Sequence, residues 1–378
     1  MKQDFDVIIA GAGPAGSSAA LYLAKNNANV LLLDKAAFPR YKPCGGGVTA
    51  RAQALLPPGI LETAGLPSCT ACMSFLDAGL LFRVERPAPI LCLVDRDRFD
   101  AALTNTAVAS GATFLSGTPV TAVSQSADAV RVMTPYQSFS ARYLIAADGV
   151  HSPVARMAGW KDDRFLAPAV ENEARLKGPL PPSLAQGPRF DFGMVPGGYA
   201  WCFPKEDGRL SFGAMTRRRG VFLPRCVDAY MERLGIPSIA LGGRTQTGHP
   251  IPVSPRCNGF MKGRVLLCGD AAGFTDPVTA EGIGNALLSG RLAADAVLLN
   301  AGSPAEVKRG YDAGLEPVLR ELRTAKWLAR ALYGWPRVMH GLFRRHGQAL
   351  CEAVTDVGAG VRSYCGEVGK VANYLRVF

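Results

Sequence analysis

The sequence has no apolar run long enough to cross a membrane, since no window approaches the roughly 18 uninterrupted apolar residues that such a helix needs. The apolar run near the N-terminus is only about six residues long and ends at a glycine turn, so we expect no signal peptide. The 10 cysteines lack the paired spacing of a disulfide framework. Cys69 and Cys72 have redox or zinc-like spacing, but no second pair accompanies them, and we expect no metal site. These absences predict a protein of the reducing cytoplasm.

Acidic residues are the minority charge, with 31 Asp and Glu against 42 Lys and Arg, and the net charge is +11. A basic chain favours an anionic partner such as phosphate groups, an acidic lipid surface or nucleic acid. The basic residues are scattered and no nucleic-acid-binding motif accompanies them, so we expect cofactor phosphates or a membrane surface and no nucleic acid. The 378 residues, of which 48% are hydrophobic, are enough for a large core in two or three domains.

The best-defined motif is a strand, glycine turn, helix and second strand near the N-terminus. The apolar strand Phe5–Ala10 leads into a turn with glycines at positions 11, 13 and 16, and the second strand ends at Asp34. Gly11 allows the tight turn, Gly13 lets the backbone approach a pyrophosphate, and Gly16 lets the helix pack closely on the strand. The helix N-terminus favours phosphate, and Asp34 is placed to accept hydrogen bonds from a ribose. The motif predicts dinucleotide binding; the alternative is a strand-to-helix turn without a ligand.

Residues 43–48 form a second glycine-rich segment, in which a proline and Cys44 precede three consecutive glycines. Such a run excludes a helix or strand interior and exposes backbone N–H groups. Arg40 and Lys42 supply positive charge beside it. A cofactor-facing loop is favoured over a flexible surface loop.

The rest of the chain predicts an α/β protein with a second sheet domain. We expect helix over residues 48–66 with a break at 57–59, strands within 74–93, and a helix from Asp95 to about residue 110. Strands follow near 112–116, 119–123 and 129–134, and a buried strand ends at Asp148-Gly149. Short segments between 167 and 223 predict an antiparallel sheet, followed by a helix near 224–234. A parallel strand returns near residue 265, and residues 304–378 are mostly helical.

Three separated elements together resemble flavoproteins built like para-hydroxybenzoate hydroxylase. They are the N-terminal glycine unit, Asp148-Gly149, and Cys268-Gly269-Asp270. The resemblance implies a Rossmann-type FAD-binding domain that is discontinuous, with an inserted antiparallel-sheet substrate domain and a C-terminal helical region. The corresponding domain bounds are 1–75, 95–160 and 255–300 for the FAD-binding domain, 76–94 and 161–254 for the substrate domain, and 301–378 for the helical region.

Three further segments, 43–47, 196–205 and 269–284, resemble the geranylgeranyl reductase family, although Leu210–Ala214 departs from that family's usual Asn-Val-Gly. That family reduces isolated double bonds in the prenyl chains of chlorophyll precursors, archaeal-type lipids or quinones. With the glycine turn, the resemblance implies FAD contacts at Gly11, Gly13, Ala15, Gly16, Asp34, Lys35, Cys44, Gly45, Gly47, Arg98, Val123, Asp148, Asp270, Gly282 and Ile283. Arg98, at the start of a helix where an arginine is unexpected, would face cofactor phosphate.

Reduction of an unactivated alkene requires a hydride donor, which reduced flavin provides and no side chain can. Cys44 is the candidate catalytic side chain because it is proton-active on the flavin-facing loop; the alternative is simple packing. Tyr199, Trp201 and Phe203 alternate along one strand and therefore share a face. The resemblance favours a wall for an apolar prenyl chain over an ordinary sheet core.

A single dinucleotide fingerprint is present, so NADPH or NADH must visit a shared cleft, or reduced ferredoxin must act as electron donor. The expected partners are a prenylated lipid, quinone or chlorophyll-type substrate. The basic, aromatic segment 326–345 suggests peripheral association with the inner face of a membrane or, alternatively, an ordinary covering helix. The alternative functions are an FAD-dependent monooxygenase acting on an aromatic or quinone ring, a flavin-dependent halogenase, and a non-enzymatic flavin-binding protein.

Overall fold

The computed structural model describes residues 4–68, 70–75, 79–185, 187–205, 208–300 and 302–367. The strands of these residues are β1 (Phe5–Ala10), β2 (Val30–Leu33), β3 (Gly47–Thr49), β4 (Gly65–Ser68), β5 (Thr70–Phe75), β6 (Leu80–Glu85), β7 (Leu91–Val94), β8 (Thr113–Leu115), β9 (Ala122–Gln125), β10 (Val130–Met133), β11 (Ser138–Ala146), β12 (Leu166–Leu176), β13 (Arg189–Phe192), β14 (Gly198–Pro204), β15 (Arg209–Thr216), β16 (Leu241–Pro252), β17 (Met261–Lys262) and β18 (Val265–Leu267). The helices are α1 (Pro14–Lys25), α2 (Ala50–Gln53), α3 (Ile60–Ala64), α4 (Arg96–Ala109), α5 (Pro153–Met157), α6 (Leu223–Arg233), α7 (Gly269–Ala272), α8 (Ile283–Asn300), α9 (Pro304–Gly334) and α10 (Pro336–Gly358).

The first sheet has the order β17-β18-β11-β1-β2-β8, and β10 and β9 extend from β11. Its central strands β18, β11, β1, β2 and β8 pair in parallel. Every residue of β2 is buried, which is expected of a parallel strand covered on both faces. Helices α1 and α8 pack on each other closely enough that a Cβ on Gly290 would lie 2.1 Å from the carbonyl oxygen of Ala15. Distant segments of the chain thus form one discontinuous parallel-sheet unit.

The second sheet has seven strands in the order β16-β12-β15-β14-β13-β5-β6 and is antiparallel except where β13 meets β5. One face packs on α6, with Phe212, Val227 and Tyr230 in its core cluster. The aromatic residues of β14 belong to a different cluster on the opposite face. The α/β fold with an inserted antiparallel sheet and C-terminal helices is confirmed.

Several predicted local elements were wrong. The break predicted at Pro57-Pro58-Gly59 is present, but the helices on either side of it, α2 and α3, are shorter than predicted, because β3 and β4 pair with β7 in a small third sheet. The strand predicted at 119–123 begins at Ala122, since Pro119 lacks the N–H that a ladder needs. Strand β5 pairs with β6 and β13, so it lies in the second sheet rather than in the nucleotide unit.

The two C-terminal helices cover both units. The Tyr311 hydroxyl of α9 donates to the carbonyl oxygen of Leu267 at 2.7 Å, which ties α9 to the first sheet. Helix α10 lies against β6, where Gly347 leaves room for the ring of Phe82. Within the part of the chain that the structure describes, no helix has the length and apolar content to cross a membrane.

Candidate active site

A cavity of about 570 Å³ lies where the two large sheets meet. Its walls come from the glycine turn before α1, the loop at residues 40–47, the cavity-facing side of the second sheet, and the segment between α7 and α8. The cavity therefore joins the glycine turn with the segments 43–47, 196–205 and 269–284 that the sequence motifs single out.

The glycine turn is closed against the neighbouring strand. Gly11 has φ of +103°, and a Cβ there would lie 2.3 Å from the Ala147 carbonyl oxygen. A Cβ on Gly16 would lie 1.8 Å from the Gly11 carbonyl oxygen. Both positions require glycine because any side chain would collide with main-chain atoms. Gly16 does not line the cavity; it permits the close packing that the sequence predicts for it.

Asp34 is held in place by backbone donors. Its Oδ2 accepts from the Ala12 amide at 2.8 Å and its Oδ1 from the Ala36 amide at 2.9 Å. Arg40 Nε lies 3.7 Å from Asp34 Oδ2, and Arg40 Nη2 lies 3.0 Å from Asp100 Oδ2. The carboxylate is thus fixed at the end of β2 on the cavity wall.

Arg40 also presents an unused donor. Its Nη1 is buried, and among the described residues it has no hydrogen-bond partner. The side chain lines the cavity above Gly13, where an added Cβ would lie 3.6 Å from Arg40 Nη2. A buried guanidinium N–H without an acceptor is costly unless an anion occupies the site. The geometry at this end fits an anionic group such as a pyrophosphate.

The structure corrects the prediction for Arg98. This residue is exposed and lines a separate surface pocket with Ile60 and Thr63. Arg96 lines the cavity instead, and its guanidinium donates to both oxygens of Asp100 at 2.9 Å. Successive helical residues turn by about 100°, so side chains two positions apart point to opposite sides of α4.

The loop around Cys44 meets strand β14. The Gly46 amide donates to Cys44 Sγ at 3.4 Å, and Arg96 lies beside the same sulfur. A Cβ on Gly45 would lie 2.7 Å from Phe203 Cε2 and 3.3 Å from Trp201 Nε1. The main chain at Gly45 therefore lies directly on the aromatic strand.

The aromatic strand forms one wall of the cavity. Tyr199, Trp201 and Phe203 are all buried and all line it. The Tyr199 hydroxyl donates to the Thr279 carbonyl oxygen at 2.5 Å, and burial raises its pKa. The ring of Phe190 lies 5.0 Å from that of Phe203 and adds to the same face.

Two carboxylates that the sequence predicts as cofactor contacts, Asp148 and Asp270, line the cavity and accept hydrogen bonds from nearby residues. Asp148 accepts from the Ser152 hydroxyl at 2.6 Å and the Val154 amide at 2.9 Å, and burial raises its pKa. Asp270 accepts from the Thr275 hydroxyl at 3.1 Å. Each carboxylate orders the turn that follows its own strand.

Sequence reasoning missed a polar group made of residues that are distant in the chain. Lys42 Nζ lies 2.5 Å from His249 Nε2, and the His249 ring is 6.0 Å from that of His151. Burial lowers the pKa of Lys42 to about 8 and that of His249 to about 4. The sequence shows Lys42 only as a charge beside the glycine loop. No local spacing links it to His249, because His249 lies on β16 and reaches Lys42 only in the folded sheet. Glu171, which also lines the cavity, was missed for the same reason.

Most of the predicted residues meet at this cavity. Those that line it are Gly11, Gly13, Ala15, Asp34, Lys35, Cys44, Gly45, Gly47, Asp148, Tyr199, Trp201, Phe203, Asp270, Gly282 and Ile283. Val123 does not, because it pairs with Val132 inside the β9–β10 ladder; Val120 is the nearby lining residue. Within the described ranges there is no cluster of three or more His, Cys, Asp or Glu side chains that could hold a metal ion.

Comparison with known proteins identifies the family. Residues 4–165 match the model of an FAD binding domain. The chain is 30% identical to a digeranylgeranylglycerophospholipid reductase of Methanosarcina mazei, over 86% of this chain and 81% of that protein. It is also 30% identical to a menaquinone reductase of Mycobacterium tuberculosis, over 77% and 76% of the two chains. The chain belongs to the geranylgeranyl reductase family of FAD-dependent oxidoreductases.

Solved structures agree with the fold of this family. A geranylgeranyl bacteriochlorophyll reductase-like protein of Thermoplasma acidophilum superimposes with a TM-score of 0.75 at 23% identity, covering 87% of both chains. The halogenase PltM superimposes with a TM-score of 0.73 at 19% identity over 87% of this chain and 76% of its own. At these identities the likeness shows the shared fold alone.

The residues of this family member fit FAD at the cavity. The unpartnered Arg40 Nη1 suits an anionic linker, and Gly13, where an added Cβ would meet only Arg40 Nη2 at 3.6 Å, leaves the main chain open to a close approach. The nucleotide end and the aromatic wall are thus two ends of one cavity.

Proposed function

We propose that the protein is an FAD-dependent reductase that saturates C=C bonds of a geranylgeranyl-type prenyl chain. The observation that carries this proposal is the meeting of a glycine-rich cofactor loop with an aromatic wall in one cavity. An apolar chain placed there would have aromatic surface on one side and the cofactor on the other. Such a site excludes water and fixes the alkene, which is what reduction of an unactivated double bond requires.

When bound, reduced FAD supplies the hydride for this reaction. Asp34 and Arg40 would hold its nucleotide end, and the loop at residues 43–47, which packs on β14 at Gly45, would place the ring beside the aromatic wall. Lys42 and Arg96 add positive charge on the same wall, which suits an anionic cofactor. Cys44 remains the sequence-derived catalytic candidate. If Cys44→Ala keeps its full FAD content and its alkene turnover is unchanged, Cys44 has no catalytic role.

The relatives and the cavity support the proposed substrate class. The named relatives include reductases of digeranylgeranylglycerophospholipids and of menaquinone, both of which carry prenyl chains. We propose a prenylated lipid or quinone for this chain, with a chlorophyll-type prenyl compound as a further member of the class. NADPH, NADH or reduced ferredoxin is the proposed electron donor.

Peripheral membrane contact accompanies this proposal, because a long prenyl lipid resides in a bilayer. Trp327, Trp335 and Val338 are exposed near the junction of α9 and α10, and the Arg330 guanidinium lies over the Trp327 ring. Exposed tryptophan beside arginine suits an anionic lipid surface. We expect the wild-type protein to cosediment with anionic but not zwitterionic vesicles, and Trp327→Ala to cosediment less. Equal pelleting of the wild type and Trp327→Ala would argue against this surface.

Anaerobic flavin oxidation separates the reductase from an aromatic-ring monooxygenase of the same fold. The FAD-loaded protein is photoreduced without oxygen, and a geranylgeranyl compound is added while the flavin spectrum is followed. Oxidation of the flavin by the prenyl compound alone supports the reductase. A flavin that stays reduced with the prenyl compound and, once oxygen is admitted, yields a hydroxylated aromatic or quinone product supports the monooxygenase.

A further inference from the structure

Glu171 is a carboxylic acid in an otherwise aromatic wall. It lies on β12 and is only 4% exposed. Cross-strand pairing places it opposite Gly213 of β15, which in turn lies opposite Trp201 of β14. A Cβ on Gly213 would lie 2.4 Å from Trp201 Cζ2. Because Gly213 has no side chain, the indole of Trp201 can lie across β15 toward Glu171.

One of the two carboxyl oxygens of Glu171 has no hydrogen-bond partner among the described residues. The Ser211 hydroxyl donates to Glu171 Oε1 at 2.6 Å. Oε2 is buried and has no hydrogen-bond partner among the residues described, and the side chain lines the cavity. Lys205, a buried cation whose charge acts on Glu171, donates instead to Asp95 at 2.6 Å and Glu173 at 3.1 Å. Glu171 is therefore buried without the ion pair that a carboxylate would need.

The surroundings favour the neutral acid. Burial raises the pKa of Glu171 to about 8, and the charge of Glu173 acts in the same direction, whereas Ser211, Lys205 and Trp201 oppose it. At neutral pH the side chain thus carries an O–H group. The charge of Glu171 also acts on Tyr41, Tyr199 and Cys202, and Thr247 lies opposite it on β16.

We propose that Glu171 is the proton donor that completes reduction of the substrate double bond. The inference rests on the proposed function. The π bond is reduced by two electrons: one carbon gains hydrogen as hydride from the reduced cofactor, which is oxidised, and the other gains the proton of the Glu171 carboxyl. The O–H bond breaks, a C–H bond forms, and water returns a proton to the carboxylate before the next turnover.

Glu171 has a geometric advantage over Cys44 in this role. The Cys44 sulfur accepts the Gly46 N–H and has the Arg96 guanidinium beside it, so donors already surround it. Glu171 Oε2 has no hydrogen-bond partner among the described residues, although the Trp201 indole lies near the carboxyl group, and the side chain lines the cavity.

The first test needs no turnover. In FAD-loaded protein without substrate, infrared difference spectroscopy across a pH titration should show a protonated carboxyl band that disappears with a midpoint near 8. Glu171→Gln should lack this band while keeping full FAD content and the Ser211 hydrogen bond. Glu173→Gln, the matched control on the same strand, should keep the band and lower its midpoint, because it removes a neighbouring negative charge.

The second test measures the single-turnover rate of anaerobic flavin oxidation by a geranylgeranyl compound. The wild-type rate should be constant below neutrality and fall above pH of about 8, and Glu171→Gln should be roughly 100-fold slower with no such fall. Glu173→Gln should retain the falling limb.

The outcomes separate this inference from the proposed function. A wild-type protein that oxidises its flavin with the prenyl compound while Glu171→Gln does so equally fast overturns the proton-donor role alone. Absence of the titrating band in the wild-type protein also overturns the proton-donor role alone. A wild-type protein that never oxidises its flavin with any prenyl compound, yet shows the band, overturns the proposed function and leaves Glu171 a neutral acid without this role.

Discussion

The main chain at Gly45 lies on the indole of Trp201, so close that a Cβ added at Gly45 would be 3.3 Å from Trp201 Nε1. The same Cβ would collide with the ring of Phe203 at 2.7 Å. This contact joins the loop that precedes β3 to the middle of the second sheet. The relative position of cofactor loop and aromatic wall is therefore set by the absence of one side chain.

Gly45→Ala should separate the loop from the wall. We expect stability to fall by about 1–3 kcal/mol, as overpacking of a filled site does, and prenyl turnover to fall further than FAD content. Gly341→Ala is the control, because a Cβ at this exposed site in α10 meets nothing within 4 Å and should stabilise the helix slightly. Thermal unfolding, flavin absorbance and turnover give the three readouts. Equal effects of both substitutions would show that the Gly45 contact has no special role.

Arg40→Gln should weaken FAD binding by roughly 10- to 100-fold, the value of a lost charge-assisted hydrogen bond. Arg98→Gln should leave FAD affinity unchanged, because that side chain is exposed and outside the cavity. Titration of the apoproteins with FAD, followed by flavin fluorescence, checks both. Loss of affinity in Arg98→Gln but not in Arg40→Gln would reverse this assignment of the phosphate-facing arginine.

Trp201→Phe should raise the prenyl-substrate KM by roughly tenfold, since a smaller ring contacts less of the chain and a tenfold change corresponds to about 1.4 kcal/mol. Phe212→Leu removes an aromatic ring from the opposite face of the same sheet, in the cluster that packs on α6. It should lower thermal stability without changing KM. A parallel change of KM in both variants would mean that Trp201 acts through sheet stability alone.

Glu171→Gln should stabilise the protein increasingly as pH rises. Between the ordinary value of 4.5 and about 8, the unfolded chain carries ionised Glu171 while the folded chain keeps it protonated. Stability is therefore lost as pH rises through this window, by roughly 1.4 kcal/mol per pH unit for one proton. Denaturant unfolding should give wild type and Glu171→Gln the most similar free energies of unfolding below pH 4.5. Near pH 8 the variant should be the more stable of the two. A difference that does not vary with pH would contradict the neutral-acid assignment.

Local patterns were enough to predict the family, the parallel nucleotide unit and much of the cavity lining. The turn at Gly11 and the alternation along β14 each express a short-range steric rule, and such rules can be read from sequence. The choice between Arg96 and Arg98 could not be made, because it depends on which side of α4 faces the cavity.

Long-range pairing explains the residues that sequence reasoning missed. Glu171 lies in the cavity because β12 pairs with β15, which carries Gly213 at the facing position. Lys42 meets His249 only after β16 has joined the same sheet. No spacing in the chain encodes either contact. The buried acid and the Lys42–His249 pair therefore cannot be predicted from the sequence alone.

A single-turnover product analysis decides whether this cavity reduces alkenes. Photoreduced, FAD-loaded protein is mixed without oxygen with a limiting amount of a geranylgeranyl compound in D₂O, and the prenyl chain is analysed by mass spectrometry. We expect each saturated double bond to match one oxidised flavin and to gain two deuterium atoms, because both the proton and the exchangeable hydrogen of reduced flavin come from the solvent. Recovery of the prenyl chain unchanged, with the flavin still fully reduced until oxygen is admitted, would contradict the reductase assignment.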